Sequence, residues 1–379
     1  MKQLTKRTIL FLCAALLLLT ACAGGNQNTE NPAETAAPQS AEHPASTETA
    51  EEIVIVPAEP DVPESEAPDV PEDPQSHYVF QPKICSVYME EVFGKDMCDA
   101  WYNLVDAVLK GENTFACKDQ DTYDWMMGQF PEHCLPILPA LIDYAYDRDN
   151  SVIDGVASFT WLVPPEEANA RIAAFGAQIE GMLNEIFKDD WTDFEKVLAL
   201  YQYFSEHYEY DFDTYEKMCD TYVDYTSCYR FLQTGIGICH EISAAYSYLL
   251  MQAGVQATTM SGNRSYDHEG HQWSFVRLNG KNYHIDPTYA LGSGGDLRYF
   301  LMTDEKRAEE DCYDPATFYA VSHYSRENPH PDYTADDETF RPLWELSFSE
   351  FFHNTHTLLG QKENDYGEWT YVEYDYAGY

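Results

Sequence analysis

Two stretches of the 379-residue chain hold groups able to do covalent chemistry together. In the first, Gly235-Ile236-Gly237-Ile238 runs into Cys239 and then His240-Glu241-Ile242-Ser243-Ala244. Ile242, Ala245, Tyr246, Leu249 and Leu250 recur at the spacing of one apolar helix stripe, so a helix is expected to open at the cysteine. Gly254 is its natural stop. A thiol at a helix N-terminus faces unpaired N–H groups and the positive end of the helix dipole, and both favour the thiolate. Gly235 and Gly237 allow a tight turn before it. The plain alternative is a small cysteine buried in the core.

The second stretch is a hairpin. Gln272–Leu278 and Lys281–Asp286 flank Asn279-Gly280, a strong two-residue turn signal. With that turn, Leu278 faces Lys281 and Trp273 faces Asp286. His271 and Asp286 then share a sheet face as diagonal neighbours, about 7–8 Å apart at the backbone and within reach of polar side chains. A carboxylate there orients the imidazole while the other ring nitrogen faces a thiol. His268 has the wrong parity. His284 shares the favoured face and stays open as an alternative, and the plain reading of His271 is a satisfied polar strand residue.

Metal sites find little support. His240-Glu241 begins like H-E-x-x-H, but Ala244 stands where the second histidine belongs. His268-x-x-His271 and His353-x-x-His356 lack a third ligand at a convincing spacing. The acidic clusters around Asp119 and Asp147 lack the glycine and closing glutamate of a calcium loop. No metal and no cofactor is expected. Apart from Cys13, Cys22 and Cys239, seven cysteines remain: Cys85, Cys98, Cys117, Cys134, Cys219, Cys228 and Cys312. An odd number leaves at least one unpaired, and no C-x-x-C pair suggests structural zinc.

Gly-x-Cys opening a helix, a following Ala253-Gly254-Val255, a strand ending Ser261-Gly262, His271-x-Trp273 and Tyr283-His284-Ile285-Asp286-Pro287-Thr288 together resemble the transglutaminase-like superfamily. Tyr299-Phe300-Leu301-Met302-Thr303-Asp304 is similar to the segment that follows the core in bacterial members. The likeness covers roughly residues 192–305. It implies an α+β, papain-like core with Cys on a helix N-terminus and His and Asp on an antiparallel sheet. Carried over, Cys239 is the nucleophile, His271 the base and then the acid, and Asp286 its orienter. Many bacterial relatives have Gly-Tyr-Ala soon after the cysteine, where this chain has His240 to Ala244, so the pocket beside the nucleophile differs. Gln233, six residues upstream, is a candidate oxyanion donor as in papain-like enzymes.

The surrounding elements follow from pattern. Helices are expected over Cys98–Lys110, Tyr123–Tyr146 and from Pro164-Pro165 to about Phe187, and a strand over Val152–Val163. Thr192-x-x-Glu195 is a capping box for the next helix. The expected order is a mainly helical accessory domain at 77–190, the transglutaminase-like domain at 191–305, and an extension at 306–379 with a closing strand near Trp369–Tyr376. The extension and the accessory domain suggest no function.

Ahead of these stands an address. Lys2, Lys6 and Arg7 precede an apolar run from Ile9 to Leu19, too short to span a bilayer comfortably, as in a secretion signal. Leu19-Thr20-Ala21-Cys22 resembles the lipobox of bacterial lipoproteins, which implies a signal peptide at 1–21 and lipidation of Cys22. Residues 22–76 hold 13 Asp or Glu, nine Pro and no Lys or Arg, an acidic tether without aromatics to build a core. The net charge of −43 argues against nucleic acid and electrostatic membrane docking. The expected partners are the membrane, through the lipid, and a protein or peptide substrate, cell-wall peptide included. The expected function is a thiol enzyme exported to the outer face of the bacterial cytoplasmic membrane. It would act on peptide or isopeptide amide bonds, by hydrolysis or transamidation. A non-catalytic module binding glycan or peptide through Tyr-rich surfaces is the alternative.

Overall fold

The computed structural model describes residues 77–143, 151–220, 226–321, 333–364 and 366–379. The signal segment 1–21, Cys22, the acidic stretch 22–76 and the cluster around Asp147 lie outside them. Helices begin where the sequence supplies caps. α1 (Val87–Phe93) starts at Ser86, whose Oγ accepts the Tyr88 N–H, and α2 (Lys95–Lys110) ends at Gly111 in the left-handed region. β1 (Thr114–Ala116) leads to α3 (Gln120–Cys134), where Asp119 accepts the Thr122 N–H at 2.8 Å. The acidic Asp119 is thus a helix cap.

Two expectations fail in the next segment. The helix expected to reach Tyr146 ends at Cys134, because Leu135 precedes Pro136 and is forced into extended backbone (φ −150°, ψ 79°). The single strand expected over Val152–Val163 is broken. β2 (Ile142–Asp143) pairs with β5 (Thr160–Trp161), while β3 (Val152–Ile153) and β4 (Val156–Ser158) form a hairpin. Asp154 and Gly155 supply the two positive φ values of its turn.

α4 (Pro165–Ile186) and α5 (Asp193–His207) follow, the latter with both halves of the Thr192–Glu195 capping box formed. β6 (Glu209–Tyr210), α6 (Phe212–Asp220), α7 (Cys228–Thr234) and β7 (Ile236–Gly237) lead to α8 (Cys239–Gln252). β8 (Gln256–Asn263), β9 (Gly270–Leu278) and β10 (Lys281–Ile285) then form an antiparallel sheet in the order β10-β9-β8-β11, closed by β11 (Tyr319–Ala320). Between β10 and β11 lie the short helices α9 (Pro287–Ala290) and α10 (Asp304–Glu309). A separate meander of β12 (Ser347–Phe352), β13 (Thr357–Glu363) and β14 (Trp369–Asp375) ends the chain.

α8 is the hub. The expectation of one buried stripe understates it, since every residue from Glu241 to Gln252 is buried. β8 and β9 cover one side, and α3, α4, α5 and α7 the others. Its serines reach the sheet by hydrogen bonds, Ser247 Oγ donating to Thr258 O (2.8 Å) and Ser274 Oγ donating to Ser243 O (3.0 Å). One core of buried side chains runs from Tyr88 to Tyr376 through helices and sheet alike. All seven cysteines with described side chains are free thiols, and the sulfurs of Cys85 and Cys98 lie 3.1 Å apart.

Candidate active site

The position of Cys239 is built by a parallel pairing of two short strands. β6 and β7 pair in parallel, Glu209 with Ile236 and Tyr210 with Gly237, so the chain enters α8 beside the exit of α5. Gly235 caps α7 at φ +72°, and a Cβ on Gly237 would stand 2.7 Å from the Phe231 ring. Ile238 occupies the cap position of α8 but carries no side-chain acceptor. Glu241, fully buried in the first turn, instead accepts the Ile238 N–H (3.0 Å), the Ser227 N–H (2.6 Å) and the Arg230 Nε–H (2.8 Å). Glu241 therefore anchors the helix start. Cys239 is left half-buried at its tip.

The hairpin supplies the partner groups. Its register is the one a two-residue turn requires, Lys281 opposite Leu278 through Ile285 opposite Ser274. Asp286 leaves the strand to cap α9, accepting the Thr288 N–H at 3.2 Å. His271 Nε2 lies 2.7 Å from Asp286 Oδ2, and the Cys239 thiol is close enough to bear on the titration of the ring. The three sequence candidates thus come together. His284 does not join them: it is buried, its Nδ1 accepts the Trp273 indole N–H (2.8 Å), and its Nε2 lies 2.7 Å from Asp304 Oδ1. An indole can only donate, so Nδ1 is unprotonated and the ring holds its proton on Nε2. Burial pushes its pKa down, and the neutral form fits this role. His268 is exposed on the preceding turn. Gln233 is exposed too, and its amide donates to Gln178 Oε1 at 2.6 Å, so it is no oxyanion donor to this thiol.

Electrostatics favour an ion pair. Burial raises the Cys239 pKa, but hydrogen bonds from His240 and His271 and their charges outweigh it, and the thiol falls from 9.0 to about 6. Burial lowers His271, yet the Asp286 charge and hydrogen bond, with the thiolate, lift it from 6.5 to about 9. Between those values a thiolate faces an imidazolium. Asp286 is buried, which raises its pKa, but His271 and Arg307 hold it below the ordinary carboxylate range.

Arg307, Tyr210 and Phe212 are not singled out by the sequence, and His240 enters there only as a difference in the pocket beside Cys239. Arg307 on α10 is fully buried, donates from Nη2 to Asp286 Oδ2 at 3.1 Å, and lies over the rings of Tyr313 (4.1 Å) and Trp273 (4.6 Å). It is a positioning residue for Asp286. His240 follows Cys239 in the first turn of α8; burial lowers its pKa, but the thiol and the Glu241 and Glu132 carboxylates together raise it. Burial first, and then the Cys239 charge, push the Tyr210 pKa well above its ordinary value. Exposed Phe212 packs on Tyr210 with ring centres 4.8 Å apart.

Residues 180–287 match the model of the transglutaminase-like superfamily, and the chain carries a transglutaminase-like domain there, on an α+β fold. No curated protein matches the chain. Among solved structures it is similar to a candidate cysteine protease from Cytophaga hutchinsonii (16% identity, 33% of this chain and 40% of that one, TM-score 0.25). It is also similar to a structure described as a TGase (16% identity, 35% and 40%, TM-score 0.25). A third is a candidate protease from Parabacteroides distasonis (12% identity, 46% and 39%, TM-score 0.27). The chain spans about two fifths of the length of each.

Proposed function

We propose that the chain is a thiol acyl-transfer enzyme acting on peptide or isopeptide amide bonds. The observation that carries this is the grouping of Cys239, His271 and Asp286, in which an imidazole nitrogen meets the carboxylate at 2.7 Å and the same ring bears on a thiol of lowered pKa. The Cys239 thiolate attacks the amide carbonyl, and the backbone N–H groups of Cys239 and His240 at the start of α8 are the donors for the oxyanion in this reading, the next N–H, that of Glu241, being bonded to Ile238 O. His271, as imidazolium, gives its proton to the leaving amine, whose C–N bond breaks to leave a thioester on Cys239. Neutral His271 then takes a proton from water or from an acceptor amine, which attacks the thioester. The thiolate leaves, and the imidazolium is restored. Asp286, braced by Arg307, keeps the ring aligned throughout.

Water is the less demanding acceptor, so hydrolysis leads this reading and transamidation is its variant. The test is an acid-quench mass measurement of the full chain with a peptide mixture that includes cell-wall peptides, with and without hydroxylamine. An acyl adduct on the Cys239 peptide is expected, with free acids forming in water and hydroxamates when hydroxylamine competes. Cys239→Ala should form neither. No adduct in wild type and no product above the Cys239→Ala background would replace this reading with the non-catalytic binding module.

The reading includes a location, the outer face of the cytoplasmic membrane, supported by the charged start, apolar run and Leu19-Thr20-Ala21-Cys22 of the sequence. Acyl chains contribute about 0.8 kcal/mol per buried CH₂, so two or more on Cys22 hold a protein without a spanning helix. Wild type should sediment with membranes, while Cys22→Ser should be released or accumulate as uncleaved precursor. Normal processing with unchanged membrane association in Cys22→Ser would count against lipidation.

A further inference from the structure

Far along the chain from the thiol, the first turn of α5 meets the turn between β12 and β13. Glu195, fully buried, receives His353 Nδ1 at 3.0 Å from each carboxylate oxygen and His356 Nδ1 at 3.8 Å from Oε1. The three ligand atoms lie within 4.8 Å of one another. The sequence offers only a bare His-x-x-His here; folding brings the third ligand from 158 positions away.

An ion pair between His353 and Glu195 would explain part of this arrangement. Three features ask for more. His356 Nδ1 is buried with no hydrogen-bond partner among the described residues, yet it points at the same carboxylate oxygen. His356 sits at φ +52°, ψ +44°, a backbone position usually left to glycine or asparagine, which turns its ring into the cluster. The outer contacts are also of the kind that surround metal ligands. The far nitrogen of His353 meets Asp190 Oδ2 at 3.3 Å, Tyr376 OH donates to Glu195 Oε1 at 2.8 Å, and the Thr192 N–H donates to Oε2 at 2.7 Å.

The separations fit one ion. Tetrahedral ligands about 2.0–2.1 Å from zinc stand about 3.3–3.4 Å apart, and the nitrogen-to-oxygen distances of 3.0 and 3.8 Å bracket that value. Two imidazoles and a carboxylate suit zinc-class ions and not calcium or magnesium. A cavity of about 380 Å³, lined by His356, Thr192, Phe194 and Tyr379 among others, opens beside the cluster, with room for a water as fourth ligand. We propose that Glu195, His353 and His356 bind a zinc-class divalent cation that ties the C-terminal meander to the start of α5.

The test uses the full-length Cys239→Ala chain, so that the active-site thiol cannot take the ion and the outcome is independent of the proposed catalysis. After chelator treatment it is titrated with Zn²⁺ alone and with Co²⁺ alone. One equivalent of Zn²⁺ should survive gel filtration and raise Tm by more than ~2 °C, and Co²⁺ should show the visible bands of a four-coordinate site. His353→Ala and His356→Gln should each lose the bands and the zinc-dependent rise. Asp190→Asn should weaken binding by about 10–100-fold. His356→Gln is the variant least able to harm folding, because its ring is partly exposed, and its metal-free Tm is expected to match the parent. Absence of a zinc-dependent shift in the parent overturns the site, as does retention of the same equivalent in His356→Gln. A His353→Ala loss of stability equal with and without Zn²⁺ leaves only an ion pair and overturns it too.

Discussion

In His271→Ala, the pH midpoint for alkylation of Cys239 should rise from about 6 toward 9.0, and acyl-transfer activity should fall by ~10³-fold or more. The midpoint is the sharper readout. At pH 7 a thiol of pKa about 6 is ~90% thiolate and one of pKa 9.0 only ~1%, but the more basic thiolate is about 20-fold more nucleophilic over that interval. The rates therefore differ by only about four- to fivefold at pH 7 and by about 25-fold at pH 6. His240 still lowers the thiol in the variant, so the midpoint stops short of 9.0, and a His240→Ala, His271→Ala double substitution should complete the rise. In wild type, activity should climb as the thiolate forms near 6 and decline as the imidazolium is lost near 9, a bell whose limbs belong to the pair. His268→Ala, and whatever His284→Ala protein folds, should keep the wild-type midpoint. Site-resolved mass spectrometry checks this among the other free thiols. An unchanged midpoint in His271→Ala would remove the histidine from the reaction.

What could be read from the sequence was local chemistry with a fixed geometric consequence. Cys239 at the start of α8, Gly254 past its end, and the Asn279-Gly280 turn each determine backbone within a few residues, and the turn's parity then sets His271 beside Asp286. The same logic was available at Asp154-Gly155, where it was masked by the β-rich residues on either side. Leu135 before Pro136 likewise marked the end of α3. Other features were not legible because their meaning is tertiary. Ser243 and Ser247 look like a polar helix face until the sheet accepts and returns their hydrogen bonds. Gln233 has a suggestive spacing, but α7 turns it outward to Gln178. Arg307 sits in an acidic stretch that reads as surface, and only the fold brings Trp273, Tyr313 and Asp286 around it.

Arg307 is where the second large effect is expected. Arg307→Met fills much of the same volume but leaves the Asp286 carboxylate buried with His271 and the Thr288 N–H as its remaining donors. Removing one member of a buried ion pair costs about 3–5 kcal/mol, because the surviving charge keeps its desolvation penalty. For a body of this size that is a fall in Tm of roughly 10 °C. Arg307→Lys keeps the charge but loses the planar contact with both rings and the forked geometry, so it should recover only part of the loss. A merely structural arginine would change stability alone. Asp286 is held low by His271 and by Arg307, and a carboxylate with a depressed pKa contributes stability above its unfolded value that is lost as pH falls through the folded one. Without Arg307 the folded pKa of Asp286 rises, so acid unfolding should begin at higher pH. The acid limb of the activity profile should move the same way, because a protonated Asp286 no longer holds the His271 imidazolium against the thiolate. Arg307→Met with near-parental Tm, acid midpoint and acid limb would show that the guanidinium does not brace the triad.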